Sequence, residues 1–123
     1  KIFKENILHW GYLKDFDMYA KWLWRANILP VTSYQDFFGV SIMEAVYCET
    51  YPILPNRLTY PELIPYQLHK DHFYDNDNEF YNKLKYALIT YKSKDLNAIK
   101  KLTTKYDWKN LASVYDRKME SIL

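Results

Sequence analysis

The sequence predicts an α/β fold, in which a parallel β-sheet with crossover helices is followed by a helical tail. Three observations carry this prediction. Short apolar runs at 28–31 and 51–54 are bounded by turn residues, which is typical of buried strands. Segments with apolar residues at helical spacing separate these runs, and beyond residue 78 only helical spacing remains. Strands that alternate with helices favour a parallel sheet, because parallel neighbours need a crossover connection.

The first elements follow from local pattern. Residues 6–10 are predicted to form a short buried strand that ends at Gly11. Asp15 or Asp17 then caps an amphipathic helix. The apolar side chains of that helix, at i, i+3, i+4, i+7 and i+8, are Phe16, Tyr19, Ala20, Leu23 and Trp24. Residues 28–31 form the next strand, in which proline at position 30 lies near the end.

A second helix is predicted from about residue 39 to residue 48, with Glu44 on the face opposite the core. Its buried side chains are Phe38, Ile42, Ala45 and Val46. Residues 51–54 form a strand and 55–56 a turn. A short helix near 61–64 and an extended piece at 73–74 complete the predicted α/β part.

Three apolar stripes predict the helices of the tail, with Ser93 and Asp107 at the boundaries between them. The stripes consist of Phe80, Leu84, Ala87, Leu88 and Tyr91; of Leu96, Ile99 and Leu102; and of Leu111, Val114, Tyr115 and Ile122. We expect one domain over residues 1–123, made of an α/β part at 1–75 and a helical tail at 76–123.

One segment combines two acids with a predicted helix start. If Gly39 opens the helix, the backbone N–H groups of Val40 and Ser41 and the positive end of the helix dipole face the preceding loop, which suits a diphosphate. Glu44 lies one to two turns further and can accept hydrogen bonds from the vicinal hydroxyls of a ribose. Asp36, at the mouth, can reach a second polyol. The segment therefore predicts a nucleotide-sugar site.

The predicted topology places this segment where ligands of parallel sheets bind, beyond the carboxyl ends of the strands. The loop that holds Asp36 follows the strand at 28–31, and the loop that holds Arg57 follows the strand at 51–54. Both loops are therefore expected at one edge of the sheet.

Composition narrows the class of protein. Hydrophobic residues make up 49% of the chain and aromatic residues 19%, which indicates a packed domain. A formal net charge of +2 is nearly neutral and indicates no nucleic-acid surface. The single cysteine, Cys48, excludes an internal disulfide and suits a reducing compartment, so we expect a cytoplasmic protein in which Cys48 is a small buried hydrophobe. No apolar run approaches the roughly 18 residues that span a bilayer.

Two segments resemble a known family: DFFGVSIMEAVYC at 36–48 and YPILPNRLTYPELIP at 51–65. They are similar to the tRNA-queuosine α-mannosyltransferases and their bacterial relatives, and the resemblance extends over about residues 7–75. The spacing of Asp36 and Glu44 also resembles the E-x7-E signature of retaining glycosyltransferases with two Rossmann-like domains, the GT-B architecture. This chain has Asp36 where the family usually has Glu, and Glu49 where it usually has Gly.

The resemblance implies a partial Rossmann-like, C-terminal donor-binding domain that is inactive alone and belongs to a larger enzyme. In it, Asp36 is the catalytic residue that holds the transferred hexose, and Glu44 binds the ribose. The other donor-binding positions that it implies are Phe38, Gly39, Val40, Ser41, Arg57 and Glu62. The implied reaction is retaining hexosyl transfer, with GDP-mannose as donor and queuosine-tRNA as acceptor on a further N-terminal domain. It needs no metal and no cofactor.

Plainer interpretations stand beside these roles. Asp36 is as well suited to capping the helix as to contacting a sugar, and Arg57 to holding its loop through Glu62 or Asp36 as to binding phosphate. Glu44 on a helix is often only a solvated residue. We interpret His9 as a core histidine at the end of a buried strand.

A metal site built from His69, Asp71 and His72 is disfavoured, because no further ligand cluster completes it at a recognisable spacing.

Two other functions stay open. One is a general sugar transferase that uses another nucleotide sugar and acts on lipid or polysaccharide. The other is a non-catalytic nucleotide-binding or interaction domain in which Asp36 marks lost activity. If the chain is stable in isolation, exposed apolar surface is expected to favour self-association.

Overall fold

The computed structural model describes residues 3–122 and has an α/β architecture around a three-stranded parallel sheet. The strands are β1 (Ile28–Pro30), β2 (Tyr51–Pro55) and β3 (Phe73–Tyr74), in the spatial order β1-β2-β3. In this part of the chain the α-helices are α1 (Phe16–Arg25), α2 (Val40–Tyr47), α3 (Tyr60–Leu63), α4 (His69–His72), α5 (Asp77–Thr90), α6 (Asn97–Lys100) and α7 (Trp108–Glu120). Short 3-10 turns lie at Lys4–Asn6, Tyr66–Leu68, Tyr91–Ser93 and Lys101–Tyr106. The predicted fold class, a partial Rossmann-like sheet with crossover helices and a helical tail, is confirmed.

The central strand explains why the sheet forms where it does. All five residues of β2 are buried, as expected for a parallel strand with both faces covered. Pro52 cannot donate to a neighbouring strand. Its carbonyl instead bonds the ring Nδ1 of buried His72 at 2.8 Å, just before β3 begins. β3 therefore pairs only with the end of β2, where Leu54 lies opposite Phe73.

Helices cover both faces of the sheet. On one face, Leu54 packs in a buried cluster with residues of α2 and α3, among them Ile42 and Leu63, and with Ile99 of α6. On the other face, Tyr51 and Ile53 pack with Ala87 of α5. Alternate side chains of β2 thus enter different cores, which is the period-two pattern of a strand between two layers.

Helix α1 has the predicted boundaries but lies at the margin of the fold. The Asp15 carboxylate accepts a hydrogen bond from the backbone N–H of Met18 at 3.0 Å, so Asp15 is the cap. The apolar stripe of α1 is only partly covered, with Phe16 73% and Trp24 54% exposed. Helical spacing indicates which face is apolar but not how much protein covers it.

The predicted strand at residues 6–10 is wrong. These residues form the end of a 3-10 turn and an irregular segment, and none of them pairs with β1 in the described part of the chain. His9 is exposed, so it is not a core histidine, and its ring lies 6.0 Å from that of Trp22 on α1. A short apolar run without a clear period cannot distinguish a strand from a segment that packs beside a helix.

The tail is buried only in its first half. Asn76 caps α5 through a bond from the backbone N–H of Glu79, and Asp107 caps α7 through one from Lys109. Ala87 and Ile99 enter the two cores, but α7 has no buried residue. The predicted boundary at Asp107 is confirmed, whereas the apolar stripe of α7 is exposed along most of its length, with Ile122 at 74%.

No helix formed by residues 3–122 has both the length and the apolar character that crossing a membrane requires. Cys48 is buried, as predicted.

Candidate functional site

The loops after the strands meet at the carboxyl edge of the sheet, as the predicted topology requires. Arg57, after β2, donates through Nε to the carbonyl of Ser33 at 3.2 Å and through a terminal nitrogen to that of Thr32 at 3.2 Å. Asn56 donates to the carboxylate of Asp75, after β3, at 2.8 Å. The segment that leads from β1 into α2 therefore lies beside the other two loops.

Asp36 organises the loop in front of α2. Its Oδ1 accepts hydrogen bonds from the backbone N–H groups of Phe38 at 3.1 Å and Gly39 at 2.8 Å, and its Oδ2 accepts one from the hydroxyl of Tyr60 at 3.2 Å. Bonds to the charged carboxylate, above all the one from Gly39, lower the pKa of Asp36 below its ordinary value. Neither Phe38 nor Gly39 belongs to α2, and no side chain caps that helix, so Asp36 fixes the turn in front of α2 and does not cap the helix itself.

This arrangement predicts a pH-dependent stability. Because the pKa of Asp36 is lower in the folded chain than in the unfolded one, its contribution is fully present above the unfolded pKa and is lost as pH falls through the folded pKa. Asp36→Asn keeps an oxygen that can accept these bonds, but removes the charge. We expect this variant to be less stable than the parent chain at pH 7, and the gap to close on acidification. Urea unfolding of both chains at several pH values measures this, and a gap independent of pH would contradict it.

The bonds of Asp36 stop short of α2, which leaves the first backbone donors of that helix available. The N–H groups of Phe38 and Gly39 are occupied by the carboxylate. Those of Val40 and Ser41, in the first turn of α2, donate to no other residue between 3 and 122. Val40 is 56% exposed and Ser41 is also exposed. An anion at this helix end would therefore meet the N–H groups of Val40 and Ser41.

Gly39 is the residue at which the chain turns into α2. Its φ of 78° and ψ of 32° place it in the left-handed region, which favours glycine. A β-carbon at this position would lie 2.6 Å from Cδ1 of Leu63, so the backbone and α3 are close together here. Phe38, beside it, is 47% exposed and packs edge-to-face on Tyr106 at 5.3 Å, which corrects the prediction that Phe38 is buried.

Glu44 faces α1 and not open solvent. The carboxylate is half-buried, and its Oε2 accepts a hydrogen bond from the hydroxyl of Tyr19 at 2.7 Å. Burial, together with this bond to a carboxylate, raises the pKa of Tyr19 to about 12, so the hydroxyl remains a donor at neutral pH. Tyr19 therefore fixes the orientation of Glu44.

Glu44 lines one wall of a wide groove of about 1220 Å³ between the N-terminal segment, α1 and β1. The groove is rich in aromatic side chains, several of them exposed, such as Trp10 at 86% and Tyr12 at 87%. Its other ring-bearing lining residues are His9, Phe16, Tyr19 and Trp22. A planar ring could stack in this groove beside the carboxylate of Glu44.

Arg57 and Glu62 occupy different settings. Arg57 holds its own loop, as the plainer interpretation proposed. Its partners are the carbonyls of Thr32 and Ser33, not the predicted acids, and its guanidinium carbon lies 4.0 Å from the centre of the Tyr34 ring. Glu62 on α3 is exposed, and its side chain bonds to no other residue in the range 3–122. Their roles toward a donor stay predictions.

Two tyrosines that the sequence did not single out complete the arrangement. Tyr60 is fully buried and bonds Asp36, and Tyr19 bonds Glu44, so each acid is held by a hydroxyl from another element. Tyr60 lies inside the segment at 51–65 that carries the family resemblance, and that position could have marked it as a candidate site residue. Tyr19 offered only its place in the apolar stripe of α1.

The two histidines of α4, His69 and His72, have structural partners. Ring Nε2 of His69 lies 2.8 Å from the carbonyl of Ile64, and buried His72 bonds Pro52. Burial lowers the pKa of His72. Over residues 3–122 the structure brings together no group of three or more His, Cys, Asp or Glu that could hold a metal ion.

Comparison with known proteins shows similarity to a glycosyltransferase. The chain is 37% identical over 79 residues to a tRNA-queuosine alpha-mannosyltransferase from Drosophila melanogaster. The matched stretch covers 64% of this chain and 20% of the relative, so the chain spans about a fifth of the length of that protein. No family model matches the chain, and no solved structure does. The similarity agrees in part with the family resemblance of the two segments at 36–48 and 51–65.

Proposed function

We propose that this chain carries part of the donor site of a retaining glycosyltransferase that uses a nucleoside diphosphate sugar. The observation that supports this most is the arrangement of α2. Its N-terminus opens at the carboxyl edge of the sheet with two unoccupied N–H groups, and Glu44, one turn further along, lines an aromatic groove. Nucleotides commonly bind to such sheets at this edge.

The proposed roles follow from the contacts. The N–H groups of Val40 and Ser41 and the dipole of α2 would stabilise the diphosphate, which gains negative charge as it leaves the sugar. Glu44, oriented by Tyr19, would accept hydrogen bonds from the ribose hydroxyls. The N–H groups of Gly39 and Phe38 are occupied by Asp36, so neither would bind the diphosphate directly. Both residues would instead shape the turn that leads into α2.

Asp36 would act at the mouth of the site. A carboxylate oxygen accepts up to two hydrogen bonds, so Oδ2, which bonds only Tyr60 among residues 3–122, retains capacity for a hydroxyl of the transferred hexose. Holding the hexose there would fix its attack geometry. Arg57 and Glu62 remain candidate contacts to the donor, the first beside the loop that follows β1 and the second on α3.

The identity of donor and acceptor comes from similarity. The similarity to a tRNA-queuosine alpha-mannosyltransferase supports mannose as the transferred sugar and queuosine in tRNA as the acceptor. GDP-mannose as the donor follows from the family resemblance. Because the chain covers only 20% of that relative, complete transfer is proposed for a longer enzyme, in which a further GT-B domain would hold the acceptor.

Replacing Glu44 with alanine is expected to weaken GDP binding at least tenfold. The reason is the loss of charge-assisted hydrogen bonds, worth about 1.5–3 kcal/mol each, to the ribose. Calorimetric titration of this chain with GDP, UDP and ADP measures the effect, and Glu120→Ala, which removes an exposed acid from α7, is the matched control.

Each outcome of this titration is informative. Equal GDP affinity in the parent chain and Glu44→Ala would remove the ribose assignment. Tighter binding of UDP than GDP would favour a general sugar transferase. A parent chain that binds none of the three nucleotides would count against a donor site built from these residues alone.

A second candidate function is a nucleotide-binding domain without catalysis. It is favoured by the engagement of Asp36 with two backbone N–H groups and Tyr60, which gives this residue a structural role in the loop. In that case Asp36→Asn in the full-length protein would leave nucleotide binding unchanged, and no sugar would be transferred by the parent protein.

A further inference from the structure

Positive charge is distributed unevenly along the chain. Residues 76–123 hold ten lysines and arginines against six acids, whereas residues 1–75 hold seven against nine. Most of the excess lies at 92–109, which contain six lysines and two aspartates. We call residues 92–109 the basic segment. The small net charge of the whole chain conceals this asymmetry, which is the kind that indicates a polyanionic partner.

The basic segment runs beside α2 from one end to the other. At the C-terminal end of α2, Nζ of Lys100 forms an ion pair with Glu49 at 2.6 Å. At the other end, the ring of Tyr106 packs on Phe38, two residues before α2 begins. The segment therefore leads from the amino edge of the sheet to the carboxyl edge, where the candidate donor site lies.

Most cations of the basic segment remain accessible. Lys92, Lys101, Lys105 and Lys109 are exposed, and Lys105 extends over the ring of Tyr106, with Nζ 4.8 Å from its centre. One exposed ring, that of Trp108 at 68%, lies between Lys105 and Lys109 in the sequence, whereas Tyr106 is half-buried. Exposed lysines beside an exposed ring suit a nucleic acid, because the cations meet phosphates and the ring offers a stacking surface for an unpaired base.

The two acids of the segment have local roles. The carboxylate of Asp95 accepts a bond from the N–H of Asn97 at 2.9 Å, and that of Asp107 accepts one from Lys109 at 3.0 Å. Each carboxylate thus fixes the turn that starts a helix. The repulsion between these two carboxylates and a phosphate is outweighed by the six lysines in the same 18 residues.

We propose that the basic segment binds the phosphate backbone of the acceptor RNA. The inference rests on the proposed function, since the acceptor class comes from the relative. RNA bound along this track would extend toward the start of α2 and bring a nucleotide to the donor site. The segment would thereby contribute to acceptor binding from within the donor-binding part of the enzyme, alongside any separate acceptor domain.

The test compares two triple variants of this chain that lose the same charge. The first replaces Lys101, Lys105 and Lys109 with glutamine, and the control replaces the exposed Lys4, Lys21 and Lys70. Fluorescence anisotropy with unfractionated tRNA, from 50 to 200 mM salt, measures the dissociation constant and its salt dependence. The first variant is expected to bind at least about tenfold more weakly, with a log–log salt slope smaller by about two to three, because each phosphate contact contributes about 0.7–0.9.

Several outcomes would overturn the proposal. These are a parent chain that does not bind tRNA at 50 mM salt, equal weakening by the control variant, and binding to vesicles of phosphatidylserine in preference to tRNA. Thermal unfolding checks that both variants fold. If the first triple variant does not fold, Lys105→Gln alone replaces it in the test, with an expected change in the salt slope of about one. GDP titration of the same variants separates the two proposals. The first variant is expected to lose tRNA binding but to keep its GDP affinity, because the substitutions leave the donor site intact.

Discussion

Replacing Tyr60 with alanine is expected to lower the free energy of unfolding by about 3–5 kcal/mol, the range for deleting a large buried ring. Tyr60 is fully buried on α3 and packs in the same core cluster as Leu54 and Phe73. The substitution leaves a cavity beneath the loop that carries Asp36 and removes the hydroxyl that bonds this carboxylate. Urea unfolding followed by circular dichroism measures the loss.

Tyr60→Phe separates the two contributions. It keeps the ring in the core and removes only the hydroxyl, so we expect a loss of about 1 kcal/mol, the usual net value of one hydrogen bond. Near-equal losses for phenylalanine and alanine would show that the bond to Asp36, and not the burial of the ring, accounts for the effect. Losses below about 1 kcal/mol for both would contradict the core position of Tyr60.

The parts of the fold that the sequence predicts are those that local chemistry determines. Gly39 followed by helical spacing predicts the start of α2, because a left-handed turn needs glycine and the helix needs an apolar face. The strand at Tyr51–Pro55 is predicted by its apolar run, since both faces are covered. The meeting of the loops at Asp36 and Arg57 follows from parallel topology alone.

The contacts that hold the site could not be predicted in the same way. The bond of Tyr19 to Glu44 joins residues 25 apart in the sequence, and that of Tyr60 to Asp36 joins residues 24 apart. Neither pair has a spacing that a helix or a turn would impose. Which of several polar side chains meets which acid depends on how α1 and α3 pack, and a single sequence does not contain that information.

Helical periodicity does not predict burial where an element lies at the margin of the fold. Phe16 on α1 and Ile122 after α7 belong to regular apolar stripes, yet both are more than 70% exposed. Periodicity identifies an apolar face but not its partner. Ile99, in contrast, joins the core cluster of the sheet, which supports the proposal that the tail and the α/β part form one domain. Self-association through the exposed stripes stays a prediction.

Gly39→Ala is expected to destabilise the chain by about 2–5 kcal/mol. A left-handed conformation costs an L-residue about 1–2 kcal/mol. The added methyl group would also lie 2.6 Å from Cδ1 of Leu63, a buried side chain that has little room to move, and such overpacking costs about 1–3 kcal/mol. Chemical unfolding measures the sum. Gly11→Ala is the matched control, because Gly11 also has a positive φ, of 104°, but no atom within 4 Å of the new methyl group.

A double-mutant cycle with Leu63→Ala isolates the steric part. Leu63→Ala removes the atoms that the new methyl group would meet, so Gly39→Ala should cost less in that background than in the parent chain. The remaining cost should approach the about 1–2 kcal/mol of a left-handed L-residue alone. If Gly39→Ala costs the same with and without the Leu63 side chain, the close approach of α3 to the start of α2 is not what requires glycine there. The left-handed turn would then be sufficient to explain it.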